Sequence, residues 1–81
     1  MDKNCFLWFV ATELENAPLT RVLVVGMDGS LTAVDVHGAM EQDTIYSCLM
    51  QAALDCVLFR GGLAAVEVQD ILGVITTYRP K

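Results

Sequence analysis

Apolar residues recur every three or four positions between Asp43 and Gly62, which is the spacing of one face of an α-helix. Asp43 is placed to cap the amino end, Arg60 falls in the predicted last turn, and Gly61 is the residue type that commonly ends helices. The pattern therefore predicts one long helix around which a small domain is built. Its first apolar face consists of Ile45, Cys48, Leu49, Ala52, Ala53 and Cys56.

This helix carries more apolar surface than one sheet can cover. Its polar residues occupy a stripe of only about 80° at roughly 100° per residue, and a helix that rests on one sheet needs an apolar arc of little over 100°. The surplus predicts that another protein surface covers this second side of the helix. The apolar residues outside both the polar stripe and the first apolar face are Tyr46, Met50, Leu54, Val57 and Leu58.

The first apolar run, CFLWFVAT at positions 5–12, has the length of a strand and is rich in aromatic and β-branched residues. Alternate residues are apolar on both faces, so a strand here needs cover on both faces. A single helix covers only one of them. We therefore predict a first strand whose outer face, which includes Phe6 and Trp8, meets a partner.

A β-hairpin follows, because Asp28–Gly29 separates two apolar runs between Thr20 and Val36. A two-residue type I′ turn pairs Val25 with Thr32, and a longer loop shifts that register.

After the long helix, positions 63–70 alternate as in a half-exposed strand. The tail at 71–80 fits a helix by spacing but a strand by composition, and we favour a strand after a short turn near residues 70–72. The fold predicted for residues 1–81 is a single α+β domain. It has a small antiparallel-rich sheet of four to five strands, in the order β-β-β-α-β-β, with one long helix packed on a face.

The hairpin and the long helix, residues 21–58, resemble the hairpin–helix of roadblock-type domains, which are dimeric scaffolds. The resemblance implies a homodimer, although that family opens with a helix where a strand is predicted here. Small acidic α+β proteins of this size are also similar to accessory proteins of phages and mobile elements, which inhibit host proteins by binding them.

Composition supports an apolar contact with another protein. Hydrophobic residues make up 54% of the chain, which is high for 81 residues because surface dominates volume in a small domain. The uncharged runs are shorter than the roughly 20 residues that span a membrane, and no signal peptide is recognisable, so we expect a cytoplasmic protein without membrane contact. A net charge of −5 and dispersed basic residues argue against nucleic-acid binding.

Reactive residues are few. Cys5, Cys48 and Cys56 fit no zinc motif, and the last two lie about 12 Å apart along one helix, too far for a disulfide. We interpret all three as small buried hydrophobes in a reducing compartment. A Cys–His pair with His37, the only histidine, is formally possible, but a solvated loop histidine is the simpler interpretation. We predict no catalytic residue, no metal site and no cofactor.

The sequence thus favours a small, acidic, non-enzymatic interaction module that forms a homodimer and occludes or bridges an unidentified partner protein. One alternative is a small-ligand-binding or enzymatic domain with a pocket between protomers. A second is an acidic mimic of nucleic acid. The candidate interface residues are Phe6, Trp8, Tyr46, Met50, Leu54 and Val57.

Overall fold

The computed structural model describes residues 2–37 and 40–81 and confirms an α+β fold with a four-stranded antiparallel sheet. Both helices pack on the same face of the sheet, whose strand order is β2-β1-β3-β4. The predicted element order is wrong at one place, because the described residues form two helices rather than one. The elements are α1 (Lys3–Leu14), β1 (Leu19–Gly26), β2 (Leu31–Val34), α2 (Gln42–Phe59), β3 (Leu63–Asp70) and β4 (Ile75–Tyr78).

The run predicted as the first strand is instead helix α1. Its amino end is capped by Asp2, whose carboxylate accepts the backbone N–H of Cys5 at 2.8 Å. This hydrogen bond lowers the pKa of the Asp2 carboxyl. The buried residues recur with helical rather than alternating spacing: they are Phe6, Leu7, Val10, Ala11 and Leu14. Burial of this face against α2 and the sheet outweighs the strand preference of the aromatic and β-branched residues.

The order of the first elements therefore differs from the predicted order. The chain opens with a helix, then a hairpin, then the long helix.

The core lies between the two helices and one face of the sheet. Val22 and Val24 of β1 and Val66 and Val68 of β3 point toward the helices, and α2 adds Ile45, Leu49, Ala53 and Cys56. Alternate residues of the same strands point to the opposite face, which neither helix covers. That open face carries half-buried Leu23 and Val25.

The β1–β2 hairpin is shifted by one residue from the predicted register. Val25 pairs with Leu31, not with Thr32, because the loop has three residues. Gly29 alone takes the left-handed conformation, with φ at 85°, and the Asp28 carboxylate accepts the N–H of Ser30. One left-handed residue after an ordinary turn is the usual geometry of a three-residue loop.

Long-range hydrogen bonds hold this turn. The N–H of Met27 donates to the carbonyl of Gly62 at 2.9 Å, and that of Asp28 donates to the carbonyl of Arg60 at 3.1 Å. The hairpin turn therefore lies against the loop that follows α2. Gly26 permits this approach, because a Cβ there would lie 2.8 Å from the Cβ of Arg60.

The long helix, β3 and β4 agree with the sequence prediction. The helix is somewhat shorter than the predicted 43–62, and its amino cap is Glu41 rather than Asp43, which lies in the first turn. Gly61 has the expected positive φ, at 77°. In the tail, which the sequence left between helix and strand, β4 pairs antiparallel with β3.

Replacement of Leu7 by alanine tests the assignment of α1, because Leu7 is fully buried. We expect Leu7→Ala to lower the free energy of unfolding by about 2–5 kcal/mol, since it leaves a cavity between the helices and the sheet. The matched control is Leu72→Ala, the same change at a side chain that is 83% exposed, with an expected effect within about 0.5 kcal/mol. Urea titrations followed by circular dichroism measure both, and equal losses would contradict this packing.

A candidate protein interface on the helix layer

The two helices run antiparallel, and three contacts fix their alignment. The Gln42 side-chain amide donates to the hydroxyl of Thr12, and its backbone N–H donates to the Glu15 carboxylate at 3.1 Å. One turn further along, the rings of Trp8 and Tyr46 pack edge to face, with centroids 5.3 Å apart. The end of α1 therefore lies beside the start of α2, where the Glu15 carboxylate satisfies a free N–H of α2.

The helices differ in length, so α2 extends past the start of α1. At 1.5 Å per residue, the 18 residues of α2 span about 27 Å and the 12 residues of α1 about 18 Å. The register of Thr12 with Gln42 and of Trp8 with Tyr46 places Lys3 level with Gln51. The last two turns of α2 consequently have no part of α1 beside them. Leu54, Val57 and Leu58 are 43%, 48% and 69% exposed.

Five of the six predicted interface residues lie together on the outer side of this layer. Trp8 is 43% exposed, and the half-buried Tyr46 and Met50 connect it along α2 to exposed Leu54 and Val57. Phe6 is not among them, since it is 3% exposed and belongs to the core. We call the resulting surface the apolar strip, which consists of Trp8, Tyr46, Met50, Leu54, Val57 and Leu58.

Beside the strip, the outer side of α1 forms a shallow, mainly apolar depression. Asn4, Cys5, Phe9 and Thr12 line it together with Trp8 and Tyr46. Sequence reasoning predicted Trp8 and Tyr46 as interface residues but missed their neighbours on α1, because it placed residues 5–12 on a strand. The helical spacing of Cys5, Trp8 and Thr12 was the signal that could have shown it.

A stable dimer would need to bury a substantial fraction of the exposed surface of the chain. A stable interface typically buries about 800 Å² on each partner. The exposed surface of the chain is 4781 Å², so such an interface would cover roughly a sixth of it. The six side chains of the strip are too few for that, and a complete interface would have to include the depression on α1.

The cysteines occupy three different environments. Only Cys56 is buried as predicted; Cys48 is half-buried, and Cys5 is exposed on the outer side of α1, so the expectation that all three are buried is wrong. Burial raises the pKa of the Cys56 thiol, and the negative charges of Asp55 and Asp28 raise it further. A thiol in this setting is a poor nucleophile.

Neither a metal centre nor a membrane span is found in the part of the chain that the structure describes. Within residues 2–37 and 40–81, no three or more histidine, cysteine, aspartate or glutamate side chains are grouped to hold a metal ion. None of the helices over the same residues combines the length and apolar character needed to cross a bilayer. His37 is exposed, and its backbone N–H contacts the sulfur of Met40 at 3.3 Å.

Comparisons of the chain with protein-family models, curated protein sequences and solved structures found no match.

The different cysteine environments predict that one thiol is protected in the folded protein. In native protein at pH 8, we expect the Cys56 thiol to resist a chromogenic disulfide reagent until denaturant is added, because it is buried and its pKa is raised. The Cys56→Ser variant should react as the wild type does when native and release one thiol fewer when denatured. Equal native reactivity of all three thiols would contradict the burial of Cys56.

Proposed function

We propose that this protein is a non-enzymatic protein–protein interaction module that forms a homodimer through the apolar strip and the adjoining depression on α1, and that it occludes or bridges a partner protein. The observation that carries the proposal is the extension of α2 past α1. In this extension three large aliphatic side chains, Leu54, Val57 and Leu58, are exposed next to one another on α2. Exposed apolar surface of this kind is typical of protein interfaces.

A second copy of the chain is a suitable occupant, because the strip can pack on itself. In a two-fold symmetric dimer each patch meets the same patch of the partner, so a charged patch would face like charge. None of the six side chains of the strip carries a charge. Trp8, Tyr46 and Met50 also belong to the residue types enriched at interfaces, where aromatic side chains and methionine supply large contact area.

The same arrangement leaves another part of the surface of α2 available for a partner. Gln51 and Asp55 lie on that side, next to β2 at the edge of the sheet. A homodimer formed through the strip would present two such sides. Because these two sides are related by symmetry, the dimer can bridge two partner molecules. Where a single partner molecule extends across both sides, the dimer occludes the surface of that partner.

Aspartate substitutions in the extension of α2 test the dimer. We expect the Leu54→Asp/Val57→Asp double variant to weaken self-association at least about 100-fold, because each dimer would bury four carboxylates in place of apolar side chains. Folding should be retained, because both positions are substantially exposed. The measurement is molar mass by light scattering after gel filtration, over dilutions from about 100 μM to about 1 μM.

The matched control is Ile71→Asp/Leu72→Asp, which places the same two charges on another exposed apolar segment, the β3–β4 turn. We expect this variant to keep the oligomeric mass of the wild type. A wild-type protein that is monomeric throughout the dilution series would refute the homodimer. Loss of the dimer in the control variant alone would place the interface at the turn.

A further inference from the structure

Within residues 2–37 and 40–81, the edge of the sheet formed by β2 has backbone groups that no other strand uses. The N–H of Gly26 donates to the carbonyl of Ser30 at 2.9 Å, which identifies this pair as hydrogen-bonded. Hydrogen-bonded and non-hydrogen-bonded pairs alternate along an antiparallel ladder, so the backbone groups of Thr32 and Val34 bond to β1. The N–H and C=O groups of Leu31 and Ala33 therefore point away from the sheet. Such an edge is a template for an additional strand.

A groove between this edge and α2 lies where side chains of an added strand would go. Ala33 and Val34 line it on one side, and Gln51, Ala52 and Asp55 line it on the other. Ala52 contributes only a methyl group, so the groove has room beside the helix. Alternate residues of an added strand would face this groove, and the others would lie on the open face beside Leu31 and Ala33.

The charges along the groove are negative. Asp35 and Asp55 both line it, and the net charge of the chain is −5. Arg60 approaches Asp55 at 3.6 Å, but both side chains are more than 40% exposed. Such an exposed ion pair is weak, so Asp55 can also interact with a basic side chain of a ligand.

The other edge of the sheet differs in charge. The N–H of Asp70 donates to the carbonyl of Val74 at 3.1 Å, so by the same alternation Ile75 and Thr77 direct their backbone groups outward from β4. The surface beside β4 is lined by Phe9, Tyr78 and Arg79, with aromatic and basic character. A basic ligand should therefore distinguish the two edges.

We propose that β2 and the adjoining groove bind an extended basic segment of the partner protein as a fifth strand. Lysine or arginine side chains at alternate positions would lie in the groove near Asp55, and the intervening apolar side chains would pack on Leu31 and Ala33. The inference rests on the proposed role as an interaction module and names the chemistry of its partner. It does not depend on the dimer, because none of the six residues of the apolar strip lines the groove.

The probe is a short fluorescent peptide that alternates lysine and valine, with blocked ends, measured by fluorescence anisotropy. Controls are a glutamate–valine peptide of the same length and a lysine–valine peptide with the two residue types in separate blocks. We expect only the alternating basic peptide to bind, and its affinity should fall as salt rises. Equal binding of the glutamate–valine peptide would overturn the assignment of charge, and equal binding of the block peptide would overturn the strand geometry.

Proline substitutions separate the two edges. Ala33→Pro removes an outward N–H of β2 without removing a hydrogen bond to β1, and Thr77→Pro makes the same change on β4. We expect Ala33→Pro to weaken peptide binding at least about tenfold and Thr77→Pro to leave it unchanged. The opposite result would place the ligand on β4 and overturn the proposal.

Two further measurements keep the test decisive. If Ala33→Pro does not fold, N-methylation of alternate peptide residues blocks the same hydrogen bonds from the ligand side. Two peptides are needed, one methylated at the odd and one at the even positions. Full binding of both peptides to the wild type would refute strand addition. Asp55→Asn should reduce affinity about two- to fivefold, whereas Asp43→Asn, on the same helix but outside the groove, should not. Equal effects of these two substitutions would reject the groove as the binding site.

The dimer and the peptide site can fail separately. Peptide binding by the Leu54→Asp/Val57→Asp variant, or by a wild-type protein that proves monomeric, would support the edge site independently of the dimer. A change in the molar mass of the protein caused by Ala33→Pro, without peptide present, would show that another copy of the chain occupies this edge and would overturn the peptide assignment.

Discussion

The alignment of two unequal helices over one face of the sheet is the constraint on which the other features of this structure depend. Glu15, just after α1, accepts the N–H of Gln42 at the start of α2, so the two helices are aligned at that end. All of the difference in length must then appear at the other end. Because the first residue of α1, Lys3, lies level with Gln51, the last eight residues of α2, about 12 Å, have no helical neighbour on that side. The exposure of Leu54 and Val57 follows from this alignment.

The same alignment divides the sides of α2 by chemistry. One side packs on the sheet, one faces α1 and continues into the apolar strip, and one lies next to β2 with Gln51 and Asp55. An apolar side and a polar side suit different kinds of contact. Burial of apolar surface stabilises association but does not fix the orientation of the partner. An edge strand beside carboxylates instead selects a ligand by its backbone geometry and its charge. The proposed self-association and the proposed partner binding therefore use different residues of one small domain.

The sequence predicts an element of this fold correctly where the residues of that segment alone show the periodicity of the element. The α2 helix and β3 show their periods without interruption, and both were predicted. In α1 the helical spacing of Leu7, Val10 and Leu14 is present, but the exposed Trp8 and Phe9 between them conceal it, and a composition typical of strands then decides the interpretation. The hairpin register failed for another reason. Its turn is held by hydrogen bonds from Met27 and Asp28 to the loop after α2, and a contact across more than 30 positions leaves no local signal.

The surplus of apolar surface was predicted from two features of the sequence, the first apolar run and the long helix, and the structure removes the first of them. A first strand with two apolar faces would have required cover on both faces. The helix instead buries one side, including Leu7 and Val10, and leaves Cys5, Trp8 and Phe9 outside. The wide apolar circumference of α2 is independent of that error. A chain of 81 residues has too little interior to enclose a composition that is 54% hydrophobic, so some large apolar side chains must lie at the surface. In this structure several of these apolar side chains, including Leu54 and Val57, lie side by side on α2 instead of being scattered. A continuous apolar patch distinguishes a candidate interface from the single exposed apolar side chains that are common to all proteins.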